Sequence, residues 1–297
     1  MKLSNMDVSY HADWQNADAE SIPMYLDRFA AAGAKKIVVG THLIGRMMDE
    51  PGFPAAFRKL VESRGMIIEG AHAPFDNDGL NTPDEAHRQQ IVAERKRIFE
   101  LCGELELKVV VNHLSCNAKN FDYSASQAYL FDQALRSVEE LLPVAQKAGL
   151  IFALENIPAP SDHADNLIRI FRHFDTEVLG CCFDVGHANF FRTIRNCSTA
   201  TWPASRIKRW QGFEIRWNDH MLEDLLPYVV ATHMHDNDGD DDAHDMPGKG
   251  IVDWKHVLAL LEQAPRLVNP ETEVKIFKHG YTPEELCRTF RELGFRS

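Results

Sequence analysis

Histidines and carboxylates in this chain recur directly after short apolar runs, and their types are those that bind divalent metal ions. They are His72 in GAHAPF, His113 in VVNHLS, Glu155 in ALENIP, Asp184 and His187 in CFDVGH, and His233 in ATHMHDN. Imidazole together with carboxylate suits Zn²⁺, Mn²⁺, Co²⁺ or Fe²⁺, whereas an all-oxygen set would suit Mg²⁺ or Ca²⁺. The residue types therefore predict metal-ion chemistry, provided that the fold brings these runs together.

A second concentration of the same residue types follows at residues 233–250, HMHDNDGDDDAHDMPGKG, which contain three histidines and six aspartates. Runs of like charge are usually solvated loops. Because this run continues directly from an apolar segment, we expect Asp236, Asp242 and His244 to join the metal-competent residues. The aspartates at positions 238, 240, 241 and 245 are expected to be solvated.

The apolar runs themselves are short, rich in β-branched residues and fairly evenly spaced. They are KKIVVG, MIIEG, KVVVN, LIFALE, VLGCCFD, YVVATH and EVKIF at 273–277, with KLSNMDV as a weaker candidate for the first strand. Continuous rather than alternating hydrophobicity is typical of strands that are buried on both faces, as in a parallel sheet.

Segments with helical periodicity separate these runs. TPDE at 82–85 and TPEE at 282–285 have the form of capping boxes with proline at the first helical position. A third helical stripe covers 126–148 and ends at Gly149. Eight strand–helix units predict an α/β fold, a (β/α)8 TIM barrel formed as a single domain by residues 1–297. A doubly wound open sheet is the alternative, but no GxGxxG follows the first strand.

In such a barrel, reactive side chains gather where the strands end, at one rim. Side chains alternate between the two faces of a strand. Three sets of residues are therefore predicted to point into the barrel, each apolar below and ionisable at the tip. They are Val109, Val111 and His113; Ile151, Ala153 and Glu155; and Val229, Ala231 and His233.

Charge and composition restrict the function. The chain has 32 lysines and arginines against 44 aspartates and glutamates, a formal net charge of −12. Nucleic-acid binders normally need a positive face, so a nucleic-acid partner is not expected. The six cysteines form no CxxC pair and are predicted to be reduced thiols. No apolar run reaches the roughly 18 residues of a membrane span, and the first residues do not resemble a secretory signal, so we expect a cytoplasmic protein.

The motifs HAPFDNDGLN, ALEN, FDVGHAN, HMHDNDG and DAHDMPGKGIVDW resemble those of the xylose isomerase-like TIM barrel superfamily, in particular its sugar phosphate isomerase/epimerase family. The resemblance implies one divalent ion, most often Mn²⁺, with Zn²⁺, Co²⁺, Fe²⁺ or Mg²⁺ as alternatives. It assigns Glu155, Asp184 and His233 as ligands, together with a second Glu on strand eight. His187 would contact the sugar oxygens.

The resemblance also implies the chemistry: a carboxylate moves the proton α to a carbonyl of a sugar or sugar phosphate, through an enediolate. The implied partner is therefore a small carbohydrate, and a homo-oligomer is compatible with the family. Glu155 and His187 are the catalytic candidates in this interpretation. His72, His113, His187, Phe75 and Trp14 are expected to line the substrate site.

One position departs from the family pattern. Interpreted as a strand, TEVKIFKHG places Val274, Ile276 and Lys278 on the inward face, so Lys278 occupies the position of the second Glu. The opposite parity would bury Glu273 and Lys275, which is costly unless both are paired. Three interpretations remain open: Lys278 is a catalytic base beside an ion with fewer ligands, its ammonium replaces the ion, or the strand assignment is shifted and Glu273 or a loop residue supplies the ligand.

Two other functions compete with the isomerase. Type IV apurinic endonucleases of the same superfamily use three zinc ions, and eight of their nine ligand positions are matched. The matching residues are His72, His113, Glu155, Asp184, His187, His233, Asp242 and His244, with Lys278 at the ninth position. The acidic balance and the sequence Asn156-Ile-Pro158 after the glutamate argue against that function. A non-catalytic or degenerate sugar-binding barrel is the third hypothesis and is motivated by Lys278.

Overall fold

The computed structural model describes residues 2–12, 21–75, 79–115, 124–193 and 199–297. Eight parallel strands pair in chain order and close into one barrel, so the predicted (β/α)8 TIM barrel is confirmed. The strands are β1 Ser9–Ala12, β2 Lys36–Val39, β3 Ile67–His72, β4 Val109–Asn112, β5 Ile151–Glu155, β6 Leu179–Asp184, β7 Val229–Met234 and β8 Asn269–Thr272.

Helices occupy the connections between the strands. They are α1 Ser21–Ala31, α2 Thr41–Asp49, α3 Phe53–Glu62, α4 Glu85–Glu104, α5 Gln127–Ala148, α6 Ala164–Phe174, α7 Val185–Asn189, α8 Ala204–Arg209, α9 Met221–Leu225, α10 Trp254–Leu261, α11 Ile276–His279 and α12 Pro283–Glu292. None of the helices in the described part of the chain has the length and apolar character needed to cross a membrane.

The helix ends follow from local sequence. Ser126 caps α5 by accepting a hydrogen bond from the Tyr129 N–H, and Gly149 ends the helix in the left-handed conformation. The capping box predicted at Thr282 is present on α12. The box predicted at Thr82 is wrong, because α4 begins two residues later and Asp84 caps it by accepting from the His87 N–H.

Small apolar side chains fill the barrel interior below the rim. They are Val109, Val111, Ala153, Cys182, Val230 and Ala231. The inward parity predicted for β4 and β5 is thus confirmed. On β7 it holds for Ala231 but not for Val229, which packs in the outer core. An irregularity in the pairing with β6 is the cause, since Cys181 pairs with Val229 and Cys182 with Ala231.

The eighth strand lies earlier than the sequence predicts. β8 ends at Thr272, and Ile276–His279 form the short helix α11 instead of the strand predicted at 273–277. Val274 and Ile276 are buried beyond the end of the strand, which explains why this apolar run has the composition of a strand. The inward positions of β8 are therefore Asn269 and Glu271, with Glu273 following at the rim.

Aromatic residues between β6 and β7 pack inside the protein. Trp202 and Trp210 are buried, and the Phe191 ring contacts both, with centroids 6.0 and 5.7 Å away. The guanidinium of Arg206 lies 3.4 Å from the centroid of the Phe190 ring. These contacts attach the β6–β7 connection to the barrel.

Candidate metal and substrate site

The strand ends bring together the histidines and carboxylates singled out above. Five overlapping groups of three side chains have ligand atoms within 4.8 Å of one another. The groups are His72, His113 and Glu155; Glu155, Asp184 and His233; His187, Asp242 and His244; His72, His233 and Glu273; and His235, His244 and Glu273. The arrangement can hold at least one divalent ion.

Glu155 lies at the centre of this cluster and is shared by two groups. Its Oε2 lies 3.2 Å from His72 Nε2 and 2.9 Å from His113 Nε2. Its Oε1 lies 3.1 Å from His187 Nδ1. Burial opposes the charged form of Glu155, but the positive charges of His233 and His113 hold its pKa well below the ordinary value. The charged form of the carboxylate is therefore favoured, and Glu155 would be available to hold a metal ion.

Asp184 and His233 come from the ends of neighbouring strands, where they are paired in register. His233 is fully buried, with Nδ1 at 3.3 Å from Glu155 Oε2 and 3.7 Å from Asp184 Oδ2. Asp184 Oδ1 accepts from the His187 N–H as the cap of α7, and Asp184 Oδ2 lies 3.0 Å from His235 Nε2. Both side chains are thereby fixed at the rim.

Glu273, not Lys278, contributes the carboxylate at the end of β8. Glu273 Oε2 lies 3.6 Å from His233 Nδ1 and 3.4 Å from His244 Nδ1. Lys278 is exposed on α11, where its Nζ donates to the backbone carbonyl of Ala243. The replacement of the second Glu by Lys278 is therefore wrong, and the shifted strand assignment is correct. Lys278 lies outside the cluster because the chain leaves the barrel at Thr272.

The loop after β7 delivers two further residues. Asp242 Oδ2 lies 3.2 Å from His244 Nε2 and 3.5 Å from His187 Nε2. His244 has a φ of 50°, in the left-handed region that costs free energy for a non-glycine residue. Burial raises the pKa of Asp242, but the charges of His244 and His187 outweigh burial and hold it well below the ordinary value.

Asp236, which was expected at the rim, has a different place. It is fully buried, and its carboxylate accepts from the Gly248 and Val252 N–H groups and from the Trp254 indole. A Cβ at Gly250 would overlap Asp236 Oδ1, so the chain passes too close here for any side chain. Asp236 therefore holds the loop in shape and is not grouped with the rim residues.

Several buried ring nitrogens in the cluster are left without hydrogen bonds. Within the described residues, both ring nitrogens of His233, Nδ1 of His187 and Oδ1 of Asp242 have no hydrogen-bond partner. Buried polar atoms are normally satisfied, and a bound divalent ion would satisfy this set. Burial opposes the charged form of His187, but Asp184 and Asp242 hold its pKa well above the ordinary value. The donor set fits a divalent ion.

A cavity of about 400 Å³ opens directly above these residues. Phe75 lines it, with its ring centroid 5.2 Å from that of His72 and 4.6 Å from that of His113. Arg206, Arg209 and Lys275 lie in its outer wall, together with His11 from β1. Trp14 lies outside the described residues, so its predicted contact stays a prediction.

Sequence reasoning missed two buried residues next to the cluster. His235 bonds to Asp184, and its ring stacks on that of His244 with centroids 4.0 Å apart. Glu271 is buried inside the barrel, and burial raises its pKa to about 8. The alternation His233–Met–His235 was a signal for the first. Glu271 was missed because the eighth strand was predicted at residues 273–277, after this residue.

The fold and the site together define a metal-competent TIM barrel. Residues 26–289 match the family described as xylose isomerase-like TIM barrel, and the chain belongs to this family. The uncharacterized protein MJ1311 of Methanocaldococcus jannaschii is 27% identical over 226 residues, 75% of this chain and 69% of that protein.

Solved structures with the same fold include sugar enzymes and a metal-bound protein. A D-tagatose 3-epimerase-like protein superposes with a TM-score of 0.71 at 19% identity, covering 97% of this chain and 98% of its own. The IolI protein with a bound zinc atom superposes with a TM-score of 0.69 at 16% identity, covering 97% and 96%. At these identities the likeness shows the fold alone.

Proposed function

We propose that this chain is a metal-dependent isomerase or epimerase of a carbohydrate. The observation that carries the proposal is that two carboxylates, Glu155 and Glu273, lie at 3.3 and 3.6 Å from the same nitrogen, His233 Nδ1, at the floor of the cavity. A proton can therefore be taken and returned by carboxylates that also border one ion. The sugar-enzyme neighbours of the same fold agree with this function.

Glu155, Asp184, His233 and Glu273 would hold the ion. When bound, a divalent ion polarises the carbonyl and adjacent hydroxyl of the sugar and so acidifies the α-proton. Glu273 is the better placed base, because its side chain is 15% exposed and lines the cavity, whereas Glu155 is 2% exposed. A base must come within hydrogen-bond reach of the proton that it abstracts, and Glu273 can reach a molecule in the cavity.

The remaining rim residues would bind and orient the sugar. His187 lines the cavity beside Asp242 and is placed to contact sugar hydroxyls, and Phe75 supplies an apolar wall. Arg209 and Lys275 bring positive charge to the outer wall of a protein whose overall charge is −12. Cations there favour an anionic substituent such as phosphate, so a sugar phosphate is the proposed substrate.

Solvent-proton exchange tests this function across a panel of sugars. The metal-free chain, reloaded with Mn²⁺, Co²⁺ or Zn²⁺, is incubated in D₂O with ketoses, aldoses and their phosphates, and deuterium at the α-carbon is followed by NMR. Incorporation that needs the ion and is lost in Glu273→Gln supports the proposal. No exchange with any sugar at any ion would contradict it.

A hydrolase of phosphoesters with several zinc ions is the second candidate. The specific observation in its favour is that Glu273 completes the set of nine residues, all of which occur in overlapping groups of candidate ligands. The acidic loop at 236–245 argues against a DNA substrate, because it would repel the extended polyanionic backbone of a duplex. Elemental mass spectrometry separates the two: about one ion per chain favours the isomerase, whereas three zinc ions and cleavage of an abasic duplex favour the hydrolase.

A further inference from the structure

Glu271 is a carboxylic acid inside the barrel, below the rim and next to the candidate metal ligands. On β8 it pairs in register with His233 of β7 and with Ser9 of β1. Its side chain is 1% exposed. Burying a carboxyl group at this depth costs free energy unless the group is hydrogen-bonded. The contacts of Glu271 therefore decide what the residue can do.

One oxygen of Glu271 is fixed by a buried polar chain. Ser9 Oγ donates to Asn269 Oδ1 at 2.5 Å, and Asn269 Nδ2 donates to Glu271 Oε2 at 3.2 Å. The other oxygen, Oε1, lies 3.6 Å from His233 Nε2 and has no hydrogen-bond partner among the described residues. The chain from Ser9 thus holds the carboxyl group so that its unused oxygen faces the imidazole.

His233 has its two nitrogens directed at different environments. Nδ1 faces the rim carboxylates, with Glu155 at 3.3 Å, while Nε2 faces Glu271 in the barrel interior. A neutral imidazole carries one proton, so a partner that accepts from Nε2–H leaves Nδ1 as the free lone pair. Glu271 is the acidic residue on the Nε2 side.

We propose that Glu271 is a positioning residue that accepts the Nε2–H of His233 and thereby fixes the tautomer and orientation in which His233 binds the ion through Nδ1. The inference rests on the metal site of the proposed function and adds to it a residue that touches neither the ion nor the substrate. Histidine ligands commonly donate their second N–H to a carboxylate, and loss of that partner lowers metal affinity about 10- to 100-fold.

Metal binding and stability, measured separately, test the inference. Calorimetric titration of the chelator-treated protein with Mn²⁺ or Zn²⁺ gives the affinity, and urea unfolding without metal gives the stability. We expect Glu271→Met, which keeps the approximate shape but has no acceptor, to weaken binding about 10- to 100-fold. The metal-free stability should be unchanged or higher, since a buried carboxyl group is removed. A residue with a merely structural role would show the opposite pattern.

Two further variants keep the test decisive. Glu271→Gln keeps the shape but has one acceptor oxygen in place of two, so it can accept from Asn269 or from His233 but not from both. It should therefore fold and bind with an intermediate affinity. Ser9→Ala removes the donor at the far end of the same polar chain, three contacts from His233, and should weaken binding less than Glu271→Met does. Wild-type affinity in both Glu271 variants overturns the inference while leaving the proposed function intact. A wild-type protein that binds neither ion overturns the metal-dependent function, and this inference with it.

Discussion

The indole N–H of Trp254 donates to Asp236 Oδ2 at 2.9 Å, and this contact closes the loop that carries Asp242 and His244. Asp236 lies just beyond the end of β7, and Trp254 is the first residue of α10. The same carboxylate also accepts from the Gly248 and Val252 N–H groups. The acidic run is therefore an ordered loop built on one buried aspartate.

Asp236→Ala should disorder this loop. Four donors would lose their acceptor, the N–H groups of Asn237, Gly248 and Val252 and the Trp254 indole, and each buried unsatisfied donor costs about 1–3 kcal/mol. We expect a clear loss of stability in urea unfolding and weaker substrate binding, because Asp242 and His244 of this loop line the cavity. The exposed Asp238→Asn in the same loop is the control and should change neither. Wild-type stability and substrate binding in Asp236→Ala would mean that the loop is held by other contacts.

Glu273→Gln and Lys278→Met should have opposite consequences. Glu273 lies at the rim, 3.6 Å from His233 Nδ1, whereas Lys278 is exposed on α11. Loss of a catalytic base costs about 10²- to 10⁴-fold in rate, so Glu273→Gln should lower kcat by at least about 10²-fold. Lys278→Met should stay within about twofold, as surface substitutions generally do. Steady-state kinetics on the substrate found by deuterium exchange decides, and a large loss in Lys278→Met would restore the lysine to the mechanism.

The barrel and most of the rim could be predicted because each depends on a local pattern. Continuous apolar runs that end in a histidine or carboxylate placed His72, Glu155 and Asp184 at strand ends, although none of their contacts is visible in the sequence. The strand period of two then gave the inward face of β4 and β5.

The errors arose where tertiary packing overrides the local pattern. EVKIF has the composition of a strand, but its apolar residues Val274 and Ile276 pack beyond the barrel. The true strand, Asn269–Thr272, is polar and contains Pro270, which local propensity excludes from a strand. Its pairing with β1 and β7 needs the barrel to close, and closure is not encoded in any short window. Because the eighth strand was placed too late in the chain, Glu271 was not recognised and Glu273 remained only one of three alternatives.

Asp162 should make stability depend on pH. It is fully buried, where its Oδ1 accepts from the Leu114 N–H at 2.9 Å, and burial raises its pKa from 3.8 to about 6. The folded state therefore binds the proton more tightly than the unfolded state. The resulting stabilisation is complete below about pH 4 and is lost as the pH rises to about 6, a change of about 3 kcal/mol.

The check on Asp162 is the difference between two stability profiles. Urea unfolding of the wild type and of Asp162→Asn is compared from pH 4 to pH 7, and the wild type should lose stability relative to the variant as the pH rises. The exposed Asp132→Asn serves as the control and should run parallel to the wild type. Parallel profiles for Asp162→Asn would mean that its hydrogen bonds offset burial.

Gly186→Ala should damage the candidate site from α7, directly after the end of β6. A Cβ at this position would overlap the His235 ring, which is fully buried. That ring bonds to Asp184 and stacks on His244. Overpacking of this kind costs about 1–3 kcal/mol, and displacement of His235 should also weaken metal binding by Asp184.

Gly45→Ala is the matched control, since a Cβ there meets nothing within 4 Å inside α2. It should stabilise the protein by about 0.5–1 kcal/mol and leave metal affinity unchanged. If calorimetry gave both variants the wild-type affinity, the contact between His235 and Asp184 would have no part in holding the ion.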